Sequence, residues 1–174
     1  AMGAYALSQG LNVVHYTLEL NEAYVGLRYD SIFSGVESQN LKYHKEEVME
    51  KLFNLKGNLT IKYYPTKSCT VNTLSAHLKK VVTFGKKVDM VLVDYADIMR
   101  DVHKSSEMRH ALGNIYEDLR GLAGELQVPI WTASQANRSA LDEDVIEATK
   151  VAESYAKVMT ADFVMSLSRK IEDK

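Results

Sequence analysis

Three apolar runs in the sequence each end at polar side chains. In VDMVLVDYADIM, residues 88–99, four apolar residues stop at Asp94. A carboxylate at the end of a buried strand is costly unless a partner is present, because it loses hydration. The polar side chains that follow the three runs are Glu19, Asp94, Ser134 and Gln135. Two acids, a hydroxyl and an amide could form one polar site, although these residues alone do not name its ligand.

The elements that would position these side chains alternate along the chain. Strands are predicted at 11–20, 58–64, 89–95, 129–135 and 161–169, and helices at 21–35, 45–55, 70–85 and 106–127. Asn21 is a suitable helix cap and Gly35 a suitable stop. Alternating strands and helices predict a mostly parallel sheet covered by helices on both faces, an α/β fold. Ligands of such sheets bind at the carboxyl ends of strands, where the polar side chains would lie.

Composition narrows the class of protein. The chain has 174 residues, is 46% hydrophobic and 25% charged, and carries a net charge of −2. These values predict a single globular domain over 1–174, and the total charge gives no argument for nucleic-acid binding. One cysteine excludes an internal disulfide and favours a reducing, cytoplasmic setting. No apolar run reaches the length of a membrane span, so no membrane contact is expected.

Several motifs together resemble the motor domain of DnaB-type replicative DNA helicases. VLVDYADIM resembles the Walker B strand of RecA-like ATPases, and VVHYTLEL resembles the family's strand ending in Ser-Leu-Glu-Met. IYEDLRGLAGELQVPIWTASQANRS resembles the segment in which Leu-Ala-x-Glu-Leu-x-Val-Pro leads to Ser-Gln-x-Asn-Arg. LTIKYYPTKSCTVNTLSAHL is most similar to phage versions, and AESYAKVMTADFVMSLSR resembles a late segment of the family. The order of motifs is preserved over nearly the whole chain.

The resemblance implies roles for the polar residues. Asp94 would hold Mg²⁺ of MgATP through water, since hard cations prefer oxygen ligands. Glu19 would polarise the water that attacks the γ-phosphate. Gln135, with Ser134 beside it, would sense that phosphate. The simpler interpretations are that Asp94 caps a turn, that Glu19 is a surface acid and that Gln135 is an ordinary loop amide.

The resemblance also implies contacts with single-stranded DNA. Arg138 begins the loop that follows the sensor strand, which in the family runs toward the central channel. The stretch 100–110, RDVHKSSEMRH, is locally basic and follows the Walker B strand, so Arg100 and Lys104 are candidate phosphate contacts. A solvated helix face or loop is the alternative interpretation of these charges.

The phosphate-cradling loop Gly-x-x-x-x-Gly-Lys-Ser/Thr does not occur in this sequence. The fold class expected is therefore a RecA-like P-loop NTPase fold that lacks the phosphate-loop strand and the arginine finger, with residues 1–10 as the end of the preceding helix. ATP and Mg²⁺ are expected cofactors of the parent protein and are not firmly expected in this chain. The gap in the sheet would be closed by pairing of the strands at 129–135 and 161–169, by a partner chain, or not at all.

Three functions remain open from the sequence. The first is a helicase motor that couples ATP hydrolysis to translocation on single-stranded DNA and duplex unwinding in a hexameric ring, with primase among its partners. The chain alone would then be an inactive or poor ATPase, and its exposed strand edges could produce a dimer. The second is a RecA-like ATPase of the recombinase or clock-protein branch. The third is a non-enzymatic assembly module.

Overall fold

A four-stranded parallel sheet organises the chain. The computed structural model describes residues 1–135 and 156–167. The strands lie in the order β2-β1-β3-β4. Their bounds are Val13–Thr17 for β1, Leu59–Tyr63 for β2, Met90–Asp94 for β3 and Ile130–Thr132 for β4. All three pairings are parallel, so the carboxyl ends of the strands meet at one edge.

Helices lie in each of the four predicted helical segments and at the start of the chain, and a short helix that the sequence did not predict, Ala156–Thr160, follows β4. The helices are α1 Met2–Ser8, α2 Glu22–Ser34, α3 Lys45–Phe53, α4 Val71–Thr83, α5 Met108–Leu126 and α6 Ala156–Thr160. Short 3-10 turns occupy Leu41–Tyr43 and Ala96–Ile98. The apolar stripe of α5 is buried from Leu112 to Leu122, whereas Met108 at its start is exposed.

The two sheet faces bury different sets of side chains. Val14 and Tyr16 of β1 point to the face covered by α4 and α5, where Leu74 is fully buried. Val13 points to the other face, against Leu7 of α1 and residues of α2. Successive strand residues alternate between faces, so strands covered on both sides carry continuous apolar runs. The prediction of helices on both faces is confirmed.

Two residues determine where α2 begins and ends. The Asn21 side chain accepts a hydrogen bond from the Tyr24 amide at 3.0 Å, and Gly35 ends the helix with a left-handed φ of 73°. Glycine adopts that conformation without the penalty that a Cβ imposes. The side chain of Asn21 therefore satisfies one of the amides that the first turn leaves without an intrahelical partner.

Replacing Asn21 with Ala is expected to lower the free energy of unfolding by about 0.5–2 kcal/mol, because the capping bond is lost. Asn40 offers a matched control, since it precedes the 3-10 turn at Leu41–Tyr43 without a side-chain capping bond. Urea denaturation of both variants checks the prediction. Equal losses in Asn21→Ala and Asn40→Ala would contradict the assigned role of the cap.

The strand predicted at 161–169 is not formed over residues 161–167, and residues 168–169 lie outside the described part of the chain. In the described residues β4 pairs with β3 alone, so direct closure of the sheet by 161–167 is also wrong. Among the described residues this segment forms no backbone ladder with β4 or with any other strand, and a strand is defined by such a ladder. Phe163 instead packs edge-on against Trp131 of β4, with ring centroids 5.8 Å apart.

Candidate functional site

The ends of β1 and β3 bring Glu19 next to Asp94. Thr17 lies opposite Asp94 in the parallel register, and the Leu18 amide donates to the Asp94 carbonyl at 2.9 Å. The buried Thr17 hydroxyl donates to the Leu20 carbonyl at 2.6 Å and accepts from the Leu20 amide at 3.2 Å. This turn encloses residues 18 and 19, so Glu19 leaves the sheet at the same edge as Asp94.

The end of β4 is tied to the same edge. The Thr132 hydroxyl donates to the Val93 carbonyl and accepts from the Ala96 amide, both at 2.9 Å. Gln135 follows the last residue of β4 by three positions, and its amide group donates to the Tyr95 hydroxyl at 3.2 Å. Gln135 therefore lies beside the residue that directly follows Asp94.

The pKa of Tyr95 is affected by several acids at this edge of the sheet. Its phenol has a raised pKa, chiefly because of burial and then because of the carboxylates of Glu19, Asp97 and Asp94. Negative charges nearby disfavour the phenolate, so the phenol stays protonated. Gln135 thus bonds to Tyr95, and the Glu19 and Asp94 carboxylates act on its phenol electrostatically.

His15 connects this edge to the α1 and α2 face of the sheet. Burial lowers the pKa of His15, and the nearby Asp94 carboxylate opposes that effect. Its Nδ1 atom lies 3.0 Å from the Tyr29 hydroxyl of α2. A Cβ at Gly3 would meet that hydroxyl and Leu92, so only glycine allows α1 to lie this close to β3. The first residues of α1 therefore lie beside β3, the strand that ends at Asp94.

In the described residues no donor contacts the Asp94 carboxylate. Lys157 pairs with a different acid, Asp97, which lies three residues after Asp94. The distance from Lys157 Nζ to Asp97 Oδ2 is 2.8 Å. No lysine of the described residues therefore pairs with the Asp94 carboxylate. The Asp94 carboxylate remains available to a ligand at the sheet edge.

A magnesium ion bound together with nucleotide phosphates fits these donors better than a metal cage does. No group of three or more His, Cys, Asp and Glu side chains that could hold a metal ion occurs in residues 1–135 and 156–167. Mg²⁺ commonly uses one or two carboxylates and completes its octahedron with water and phosphate oxygens. Asp94 supplies one carboxylate of that kind.

Asp97 centres a polar cluster that the sequence did not reveal. Its Oδ1 accepts from the Tyr116 hydroxyl at 2.8 Å, and its Oδ2 accepts from Ser134 Oγ at 3.0 Å as well as from Lys157. Lys157 is only 2% exposed and also donates to Ser134 Oγ at 3.1 Å. Burial and Asp97 raise the pKa of Tyr116. Ser134 is thus bonded into this cluster, whereas Gln135 contacts Tyr95.

The candidate DNA contacts occupy a loop after β3. Arg100 is exposed, and its amide donates to the Cys69 carbonyl at 2.8 Å. The buried Asp101 carboxylate accepts from the amides of His103 at 3.0 Å and Ser105 at 2.9 Å, which shapes a turn that leaves Lys104 exposed. These bonds lower the pKa of Asp101 against the opposing effect of burial. Arg138 lies outside the described residues.

Comparison with known proteins identifies the family. Residues 1–174 match the family described as DnaB-like helicase C terminal domain. The chain belongs to this family. A DnaB-like replicative helicase of Enterobacteria phage T4 is 28% identical over 185 residues, which cover 96% of this chain and 38% of the relative. The chain thus spans less than two-fifths of that relative's length.

Solved structures agree on the fold of this DnaB-like domain. An ATPase domain superposes with a TM-score of 0.77 at 16% identity, covering 91% of this chain and 60% of the other. A DnaB-like replicative helicase, solved to show its interactions with primase, gives 0.72 at 17% identity, covering 91% and 42%. The RecA-like fold expected from the sequence is confirmed. Within the described residues, no helix is both long and apolar enough to traverse a bilayer.

Proposed function

We propose that this chain is the ATP-hydrolysing part of a replicative DNA helicase. The observation that carries the proposal is that Glu19, Asp94 and Gln135 follow three adjacent parallel strands at one carboxyl edge, where Gln135 bonds to the Tyr95 hydroxyl. Hydrolysis of a phosphoanhydride uses one acid to orient the attacking water, a second acid to hold the cation and an amide to bond to the terminal phosphate. Membership of the DnaB-like family supports the same proposal.

Each side chain has one task in this mechanism. Glu19 extends from the turn stabilised by Thr17, accepts a proton from the attacking water and orients it. Asp94, at the end of β3, would hold Mg²⁺ through water, and the ion would neutralise charge on the phosphates when bound. Gln135 donates a hydrogen bond either to the terminal phosphate or, as here, to Tyr95 at 3.2 Å.

The phosphates themselves need donors that this sequence does not contain. No Gly-x-x-x-x-Gly-Lys-Ser/Thr motif occurs in the 174 residues. The start of α1 lies close to His15 and Leu92, just below Asp94 in the sheet. The start of α1 therefore lies near the edge of the sheet at which the phosphates would bind. Assembly into a ring through neighbouring subunits is part of the same proposal.

An unwinding assay on the complete natural gene product tests this function. We expect ATP- and Mg²⁺-dependent separation of a forked duplex and hydrolysis stimulated by single-stranded DNA. Hydrolysis that is indifferent to DNA would favour the recombinase-like or clock-like alternative. Absence of both nucleotide binding and hydrolysis would favour the assembly module.

Arg100 and Lys104 are expected to contact the DNA backbone. Neutralising both, as Arg100→Gln with Lys104→Gln, should reduce the slope of log K against log salt by about 0.7 per lost contact for single strands. Fluorescence anisotropy with a labelled oligonucleotide at several salt concentrations measures that slope.

Lys86→Gln with Lys87→Gln is the matched control for this slope. Both lysines are exposed and lie before β3, at the opposite end of the strand from the loop. An unchanged slope in Arg100→Gln with Lys104→Gln would remove this loop from the DNA interface.

A further inference from the structure

The Asp97 cluster joins the two loops that carry the proposed catalytic groups. Asp97 lies in the 3-10 turn that follows β3 and is three residues beyond Asp94. Ser134, one of its partners, directly precedes Gln135. The cluster therefore connects the loop after the Asp94 strand to the loop that presents Gln135.

The donors to Asp97 come from three separate elements. Tyr116 belongs to α5, Ser134 follows β4, and Lys157 belongs to α6. The Lys157 ammonium is also 5.7 Å from the centroid of the Tyr116 ring. Both oxygens of the Asp97 carboxylate are therefore held. Tyr116 bonds to Oδ1, whereas Ser134 and Lys157 bond to Oδ2.

Burial makes this arrangement sensitive to the loss of a single member. The side chain of Lys157 is 2% exposed and that of Asp97 is 13% exposed. A charge shielded from water needs its partner, so removing Lys157 leaves the shielded Asp97 carboxylate without this charged donor. By contrast, the ion pair between Lys79 and Glu125 has the same 2.8 Å separation but lies more than half exposed.

We propose that Asp97 and Lys157 are positioning residues that hold Ser134, and through it Gln135, in register with the end of β3, and that they connect α6 to the nucleotide site. Neither side chain touches the reacting atoms. The pair sets the distance between the sensor amide and the Asp94 edge. A change at the terminal phosphate that moves Gln135 would also displace Ser134, and the bonds from Ser134 and Lys157 to Asp97 would transmit this displacement to α6. This inference rests on the proposed ATPase function.

Steady-state ATP hydrolysis by the complete gene product tests the proposal. Asp97→Asn, Lys157→Gln and the double variant are compared with the wild type. We expect each single change to lower kcat by on the order of tenfold with a nearly unchanged KM, within the range for coupled neighbours. The double variant should lose no more than the worse single variant, because the same connection is already broken. Lys79→Gln is the matched control and should keep the wild-type kcat.

A purely structural role predicts a different pattern. The variants would then melt earlier but, assayed well below their melting temperature, would retain the wild-type kcat, and this result would overturn the proposal. Tyr116→Phe removes one donor to Asp97 while keeping the ring and the ion pair. If the charge variants do not fold, a lowered kcat in Tyr116→Phe supports the proposal and an unchanged kcat overturns it.

Hydrogen–deuterium exchange without nucleotide separates this inference from the proposed function. Faster exchange at residues 95–98 and 133–135 in Lys157→Gln, with β1 and α4 unchanged, is the expected result. Unchanged exchange at both loops would overturn the positioning role even if the protein hydrolyses ATP. A wild type that hydrolyses no ATP while the loops respond as expected would refute the proposed function and leave the connection between the loops intact.

Discussion

Glu19→Gln is expected to lower kcat for ATP hydrolysis by about 10²–10⁴-fold, the usual contribution of a positioned general base. Glutamine keeps the size and the hydrogen-bonding geometry but cannot accept the proton of the attacking water. KM should change little, because Glu19 is exposed beyond the turn at Thr17 and acts on water. Single-turnover hydrolysis by the complete gene product measures the effect without interference from product release.

The matched control for Glu19 is Glu37→Gln. Glu37 is also exposed, and among residues 1–135 and 156–167 its side chain accepts only from the exposed Gln39, at 2.8 Å. Wild-type kcat is expected in this variant. A comparable kcat in Glu19→Gln and Glu37→Gln would show that Glu19 is a surface acid, the simpler interpretation of its position.

Asp94→Asn is expected to raise the Mg²⁺ concentration for half-maximal hydrolysis on the order of 10–100-fold, the effect of removing a group that orients metal-bound water. Asparagine keeps an oxygen at the end of β3 but removes the charge that holds the hydrated cation. Since no donor among the described residues contacts the Asp94 carboxylate, the variant breaks no internal ion pair. The fold should therefore be retained, and circular dichroism checks that it is.

Titration of hydrolysis with Mg²⁺ at saturating ATP measures this effect. Asp162→Asn is the control, since Asp162 is 75% exposed and, within the described part of the chain, pairs only with the exposed Arg120. Surface pairs of this kind contribute about 0–1 kcal/mol, so neither stability nor Mg²⁺ dependence should change much. An Asp94→Asn variant with wild-type Mg²⁺ dependence would assign the carboxylate to a turn rather than to the cation.

The two expected results differ in the parameter that they change. Glu19 acts on the attacking water and should affect the maximal rate, whereas Asp94 acts on the cation and should affect the Mg²⁺ requirement. A single defect common to both variants would instead indicate loss of structure at the carboxyl edge. Such a loss is expected first at the turn after β1, where the Thr17 hydroxyl bonds to the carbonyl and the amide of Leu20.

Local residue types determined most of the fold of this protein. Asn21 and Gly35 bound α2 because their side-chain and backbone preferences act over only a few residues. Continuous apolar runs predicted β1 and β3, since strands covered on both faces have no polar side. The motif order then placed Glu19, Asp94, Ser134 and Gln135 at one edge, because parallel strands share their carboxyl ends.

Long-range contacts, in contrast, were decided only in the tertiary structure. Residues 161–167 carry the apolar pattern of a strand, yet in the described part of the chain they contact β4 through side chains, as Phe163 does with Trp131, and form no backbone ladder with it. Lys157 stands in a polar, mixed stretch of sequence, and nothing local distinguishes it from a solvated lysine. Packing of α6 against α5 buries it opposite Asp97, 60 residues away in the chain, since only assembly of the elements determines which charges meet.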